Sequence, residues 1–252
     1  MKTTLAHESY KLVHQRSSWL AIIALFGLML YSATPTAYVT KRLIAQGFGA
    51  GQWVIIIMIV VTTNFVAMEL RDNTMTTLLY KSPRRRTVFF AKLIVLVGYG
   101  LFLLLVGFCF ALLIKLLLVN RRFAWTAVYH QHSLLQALGL NLLGVGVYLL
   151  FTITLTLLLI TIIKSSATVI IIGLFIGFLG ANITGIVMQA APGIKQVVAW
   201  NPLNMINVIS QLADSRVMAT TGLSNGQLLF GTLAYALLFL CAGVWAFRTR
   251  QF

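Results

Sequence analysis

Acidic side chains are almost missing from this 252-residue chain: Glu8, Glu69, Asp72 and Asp214 are its only four, against nineteen Lys and Arg. Charged residues make up 9% of the total, where a soluble globular domain carries about 25%. So few charges cannot coat a soluble surface, which excludes a soluble enzyme. The 60% hydrophobic content excludes a disordered tail. Cysteine is scarce too. Cys109 and Cys241 both fall inside apolar runs and read as small core residues, which excludes a disulfide scaffold.

Catalytic signatures are missing as well. No Gly-rich loop ends in Gly-Lys-Ser/Thr, so the chain has no P-loop of its own for ATP, and no HExxH run occurs. His130-Gln131-His132 is the one close histidine pair and has no third ligand near it in sequence, so no metal site is expected. No acid or histidine falls in the middle of an apolar stretch, which argues against a proton- or sodium-coupled carrier. The reading is a chain with no catalytic residue, metal or cofactor of its own. Any work it does must draw on another chain.

What is present is long apolar runs. Cutting the sequence at its charges leaves uncharged stretches over 17–40, 43–68, 93–114, 123–163, 165–194 and 217–247. Each can cross a bilayer, for which about 20 residues suffice. Trp19, Trp53, Trp125 and Trp245 sit near stretch ends, as interfacial anchors do. The expected fold is therefore all-α: one polytopic membrane domain, 1–252, with six transmembrane helices. The first run begins near Trp19 and is followed by a poor cleavage site at 33–37, so it is read as a retained span. Six spans put both termini on one side. With the termini cytoplasmic, that side holds twelve of the nineteen basic residues, and the positive-inside rule favours this orientation. The net charge of +15 then reflects loops against anionic lipid, not a nucleic-acid partner.

The densest chemistry is the segment 69–92, ELRDNTMTTLLYKSPRRRTVFFAK. Asn73 is a plausible N-cap for a short helix over 74–80 with Met75, Leu78 and Leu79 on its apolar face. Ser82-Pro83 reads as a cap followed by proline at the first helical position of the next span. Two readings stay open: a cross-helix that docks a cytoplasmic partner, or a solvated positive-inside loop. Ahead of the first span, Leu5, Leu12 and Val13 fall on one face with Lys2, Lys11, His14 and Arg16 elsewhere, as in an amphipathic helix lying on the inner leaflet.

Three further patterns belong to the spans and the outer side. The run 196–213, with Asn201, Pro202, Asn204 and Asn207, is too short and polar to span and reads as a re-entrant or surface helix. Gly173, Gly177, Ala181 and Gly185 form a small-residue ridge at every fourth position, either a self-association or pore-facing seam or ordinary packing within one bundle. Thr152, Thr154, Thr156 and Thr161 either line a polar path or bond to their own helix.

Taken in order, these residues resemble the six-span permeases of ATP-binding-cassette transporters of the type-2 exporter family. Glu8-x-x-Lys11 with Arg16 and Trp19 leads into the first span. Glu69-Leu70-Arg71-Asp72-Asn73-Thr74, Leu78-Leu79, Ser82-Pro83, Arg86 and Lys92 are similar to the family's first cytoplasmic loop. Asn201-Pro202-Leu203 stands where members carry Asn-Pro-Leu. Asn73 departs from the family's usual glycine.

The resemblance implies an elbow helix over 1–18, a cytoplasmic coupling loop over 71–92 and an extracellular re-entrant segment over 189–226. It makes Glu69, Arg71, Asp72, Thr74, Met75, Leu78, Leu79, Pro83, Arg84, Arg85 and Arg86 the ATPase-coupling residues. Asn201, Pro202 and Leu203 become part of an extracellular gate. It implies two cytoplasmic ATPase subunits that hold ATP and Mg, a second permease copy or related permease, and membrane lipid around them. The substrate it suggests is an amphipathic peptide antibiotic, bacteriocin or drug, moved outward across a bacterial plasma membrane. Export of a lipid-linked glycan or another small compound is the close variant. Rival readings are a membrane anchor that recruits a cytoplasmic partner through its basic loop, and an independent channel.

Overall fold

The computed structural model describes residues 2–34, 36–71, 85–119, 123–163 and 165–249. Six helices among them are long and apolar enough to cross a membrane: span 1, Arg16–Ala33; span 2, Gly47–Glu69; span 3, Arg86–Val119; span 4, Leu134–Ile163; span 5, Ser166–Ala190; and span 6, Asn225–Thr249. All six uncharged stretches of the sequence thus hold one span each. Among the described residues the fold is α-helical apart from a two-stranded hairpin, Val128–Tyr129 with His132–Ser133, before span 4. The chain is a multi-pass membrane protein.

Spans 2 and 4 form the centre. Of their most apolar stretches, 61% and 56% is buried inside the chain, against 28%, 22% and 28% for spans 1, 5 and 6. Tyr148 and Phe151 of span 4 are enclosed, and Phe151 meets Tyr235 and Phe239 of span 6 edge-on. The outer helices bury one narrow face and leave residues such as Ile171, Ile186, Leu237 and Leu238 exposed, as helices facing lipid do.

Two local departures from the sequence reading have physical causes. The stretch 43–68 is not one helix. Gly47, Phe48 and Gly49 all take positive φ, and this left-handed turn separates a short helix, Lys41–Ala45, from the helix Ala50–Arg71. Phe48 accepts φ 54° because its ring is fully buried, and the flanking glycines adopt the same region without a Cβ penalty. Lys115 does not end span 3. It is buried in a π-helical turn, Lys115–Val119, with its Nζ 4.4 Å from the Trp125 ring centroid. The ammonium therefore rests on an aromatic face while its stem stays apolar.

At the N-terminus, Lys2–His14 is helical as expected; Glu8 and Leu12 are buried, Leu5 is partly buried, and Val13 is 55% exposed. The four threonines of span 4 settle on the self-bonding reading. The hydroxyls of Thr152, Thr154, Thr156 and Thr161 donate to carbonyls one turn back, so they pack as part of the helix.

Candidate functional site

A buried four-charge cluster lies where three helices meet. The N-terminal helix supplies Glu8 and Lys11, one turn apart; the end of span 2 supplies Glu69; the first turns of span 3 supply Lys92. Lys92 Nζ donates to Glu8 Oε2 at 3.0 Å and to Glu69 Oε1 at 2.6 Å. Lys11 Nζ pairs with Glu69 and lies 3.4 Å from Glu8 Oε2. Each lysine therefore bridges both carboxylates, and the formal charges cancel. Phe65, one turn before Glu69, forms the floor, with the two ammonium nitrogens 5.1 and 5.0 Å from its centroid.

The burial is deep: Glu8 is 0%, Lys92 1% and Glu69 2% exposed. Ions this enclosed lose hydration worth several kcal/mol each, and only close opposite charges and hydrogen bonds offset it. The second oxygens, Glu8 Oε1 and Glu69 Oε2, find no partner among the described residues. On the N-terminal helix, Lys11 is pushed down to about 8, chiefly by burial and then by repulsion from Lys92, which together outweigh attraction to Glu8. Two neutral bonds brace the same corner. Tyr99 of span 3 donates to Ser18 O at 2.7 Å, and Ser18 Oγ donates to Leu12 O at 2.6 Å.

Of the expected coupling residues, Glu69 belongs to this cluster. Arg71 closes the helix of span 2, and Arg85 and Arg86 open that of span 3. Asp72, Thr74, Met75, Leu78, Leu79, Pro83 and Arg84, with the expected helix over 74–80, lie outside the described residues. In the sequence, Glu8-x-x-Lys11 reads as one motif and Glu69 to Lys92 as another, with nothing joining the two. A signal was available: Glu8 and Glu69 are two of only four acids, and each lies within a helical stretch where a lone charge would need a partner.

At the other end, short helices join spans 5 and 6: Lys195–Ala199, Pro202–Asn207, Val208–Gln211 and Met218–Thr221. Asn201 caps the second of these by accepting from Leu203 N at 2.9 Å, and Pro202 takes its first position. Leu203 packs on span 5 at Gly180, where a Cβ would stand 3.2 Å from its carbonyl oxygen. The segment's own hub is Asn204, missed as such in the sequence. Its amide donates to Ala199 O at 2.7 Å and Thr221 O at 3.0 Å, and its carbonyl accepts from Asn207 at 2.9 Å. Gln211 completes the network, donating to Leu223 O and Asn225 Oδ1 and accepting from Thr221 Oγ1 at 2.6 Å. Asn141 Nδ2 of span 4 donates to Ile209 O at 2.9 Å and ties the segment to the core. Further out, hydrogen bonds from Arg216 hold the Asp214 carboxyl below its ordinary range.

The small-residue ridge divides. Gly173 and Gly177 are buried, and a Cβ at Gly173 would stand 2.6 Å from Ile59 Cγ2 of span 2, so this half packs within the chain. Ala181 is half-buried, and Gly185 has nothing within 4 Å of a Cβ position.

The chain matches no individual curated protein. Residues 4–180 match the family described as ABC-2 family transporter protein, a match that spans the N-terminal helix, the charge cluster and spans 1 to 4. With six apolar helices of spanning length and well over half of its length matched, the chain belongs to the ABC-2 family of transporter membrane proteins.

Proposed function

We propose that this chain is the permease subunit of an ATP-driven exporter, powered by two separate cytoplasmic ATPase subunits and paired with a second permease. The observation that carries the reading is the buried cluster of Glu8, Lys11, Glu69 and Lys92. It clamps the N-terminal helix to the two helix ends that bracket 72–84, the segment expected to engage the ATPase. A push on that segment would reach spans 2 and 3 and the N-terminal helix as one body, because separating them exposes unpaired charges in a dry site. The ATPases would then bias an equilibrium between inward- and outward-open arrangements.

In this reading 1–18 acts as the elbow, 71–92 couples, and 189–226 closes the outer side through Asn201, Pro202 and Leu203. The chain carries no ATP site; ATP and Mg belong to the partner. Both termini are cytoplasmic and the membrane is the bacterial plasma membrane. The cargo is an amphipathic peptide antibiotic, bacteriocin or drug, or in the close variant a lipid-linked glycan.

The test is purification of the tagged chain from its native membrane in two mild detergents, followed by ATP hydrolysis measurements. A stoichiometric P-loop partner with vanadate-sensitive ATPase activity is expected. Loss of that partner on Leu78→Asp, with the chain still folded, assigns the loop. ATPase-free preparations in both detergents would overturn the reading in favour of a membrane anchor or channel.

A further inference from the structure

The N-terminal helix does not close against the bundle along its whole length. A trough of about 490 Å³ opens between it, the start of span 1 and span 3. Leu12 and Val95 are buried in its floor, while Trp19, Ile94 and Phe102 stand exposed along its edge. Gly98 of span 3 leaves the gap, since a Cβ there would meet nothing within 4 Å. Three polar groups in the lining are already committed. Ser18 Oγ donates to Leu12 O at 2.6 Å, the Tyr99 hydroxyl to Ser18 O at 2.7 Å, and Trp19 Nε1 to Val13 O at 2.9 Å. The surface left open is almost entirely carbon, and its volume lies within the range of ligand cavities, about 300–1,000 Å³.

Shape and charge together select the occupant. From Ile94 to Phe102 the wall runs along the axis of span 3 for about 12 Å at 1.5 Å per residue. That is most of the roughly 15 Å of hydrocarbon in one leaflet. The end toward the N-terminal helix is cationic. Arg16, two positions before Ser18, is exposed. So is Arg86, which shares a face of span 3 with Phe90 and Ile94 at four-residue spacing. Glu8 and Glu69, the described acids at this end, are buried and paired with lysines. A second copy of the chain docked across a two-fold axis would bring the same arginines against each other, whereas a phosphate complements them.

We infer that this trough holds one acyl chain of an anionic phospholipid, its phosphate toward Arg16 and Arg86, in the leaflet that meets the N-terminal helix. The tail fills the space over Gly98 and removes the apolar walls from water and from loose lipid, so that the N-terminal helix, span 1 and span 3 pack through it. It lies beside the charge cluster, which ties the same helix to spans 2 and 3. The inference goes beyond the transporter reading and does not depend on an ATPase partner.

The test is native mass spectrometry of the full-length chain released from nanodiscs of dioleoyl phosphatidylglycerol and dioleoyl phosphatidylcholine in equal amounts. One phosphatidylglycerol per chain is expected, retained about fivefold over phosphatidylcholine, as one basic residue near the head group would give. Gly98→Leu puts a side chain into the trough and should cut phosphatidylglycerol retention at least tenfold. Its melting temperature in lipid-free detergent should hold or rise, because a glycine leaves a helix interior. Arg16→Gln, at an exposed position, should remove most of the preference and leave phosphatidylcholine retention unchanged. Equal retention of the two lipids by the native chain, or retention that Gly98→Leu leaves unchanged in a folded chain, overturns the inference. Where Gly98→Leu fails to fold, an unchanged preference in Arg16→Gln overturns it. Loss of a two-chain mass in Gly98→Leu with lipid retention intact also overturns it and gives the trough to a second copy.

Discussion

Lys92 Nζ lies 3.0 Å from Glu8 Oε2, although 84 positions separate the two residues and both are sealed from solvent. With Glu69 and Lys11 this contact makes a neutral square of charges that joins the N-terminal helix to spans 2 and 3.

Removing one corner should cost more than removing a pair. Lys92→Met leaves two buried carboxylates facing one ammonium and is expected to destabilise the chain by about 3–5 kcal/mol. Glu8→Gln combined with Lys92→Met restores neutrality and should recover part of that loss. Thermal unfolding in detergent, run as a double-mutant cycle, checks this. Strictly additive losses would mean the two residues are not coupled.

The second prediction concerns pH. Lys11 is near 8 in the folded chain and near its ordinary 10.5 when unfolded. Between those values the unfolded state holds more protons, so this group's contribution to stability rises with pH across the window. Below about 8 the lysine is charged in both states and its contribution is flat. The difference in melting temperature between the native chain and Lys11→Met should therefore shift in favour of the native chain between pH 8 and 10. A constant difference would sink the assignment.

Glycine contacts separate close packing from open surface. A Cβ at Gly144 would press on the backbone of Val208 and Ile209, whereas Gly185 has nothing within 4 Å. Gly144→Ala is expected to destabilise by about 1–3 kcal/mol through forced displacement of the 208–209 backbone. Gly185→Ala should be neutral or stabilising by up to about 1 kcal/mol through helix propensity. Melting temperatures of the two variants give the comparison.

Orientation is checked by labelling. With cytoplasmic termini and six spans, Thr76→Cys should react with an impermeant maleimide only from the inner face. Ser215→Cys, exposed between spans 5 and 6, should react only from the outer face. Labelling of both from one side would remove a span from the count.

Spans were legible because a lipid-facing helix needs a run of apolar residues and ends where charge begins, a property of contiguous sequence. The same rule misled where a side chain met its partner by folding. Lys115 looked like a terminus, yet Trp125 receives it inside the bundle. Glu8 looked like a surface charge, yet it is buried because Lys11, one turn on, and Lys92, 84 positions away, neutralise it. The Gly47-Phe48-Gly49 turn gave no charge signal at all, since its cause is backbone conformation and not polarity. Asn204 was visible as a polar residue, but its role as a hub depends on carbonyls at 199 and 221 arriving around it.

By itself, the amino-acid sequence determined that this is a multi-pass membrane protein with six stretches long and apolar enough to cross a bilayer, because sustained hydrophobicity is a local, additive quantity. Its motifs also resemble those of the type-2 exporter permeases, and the match over residues 4–180 shows the ABC-2 family. Tertiary structure alone decided which charges are paired, which glycines are contacts and how Asn141 ties span 4 to the segment between spans 5 and 6. Those properties depend on distances between residues far apart in the chain, 84 positions for Glu8 and Lys92 and 68 for Asn141 and Ile209, and no local pattern encodes such distances.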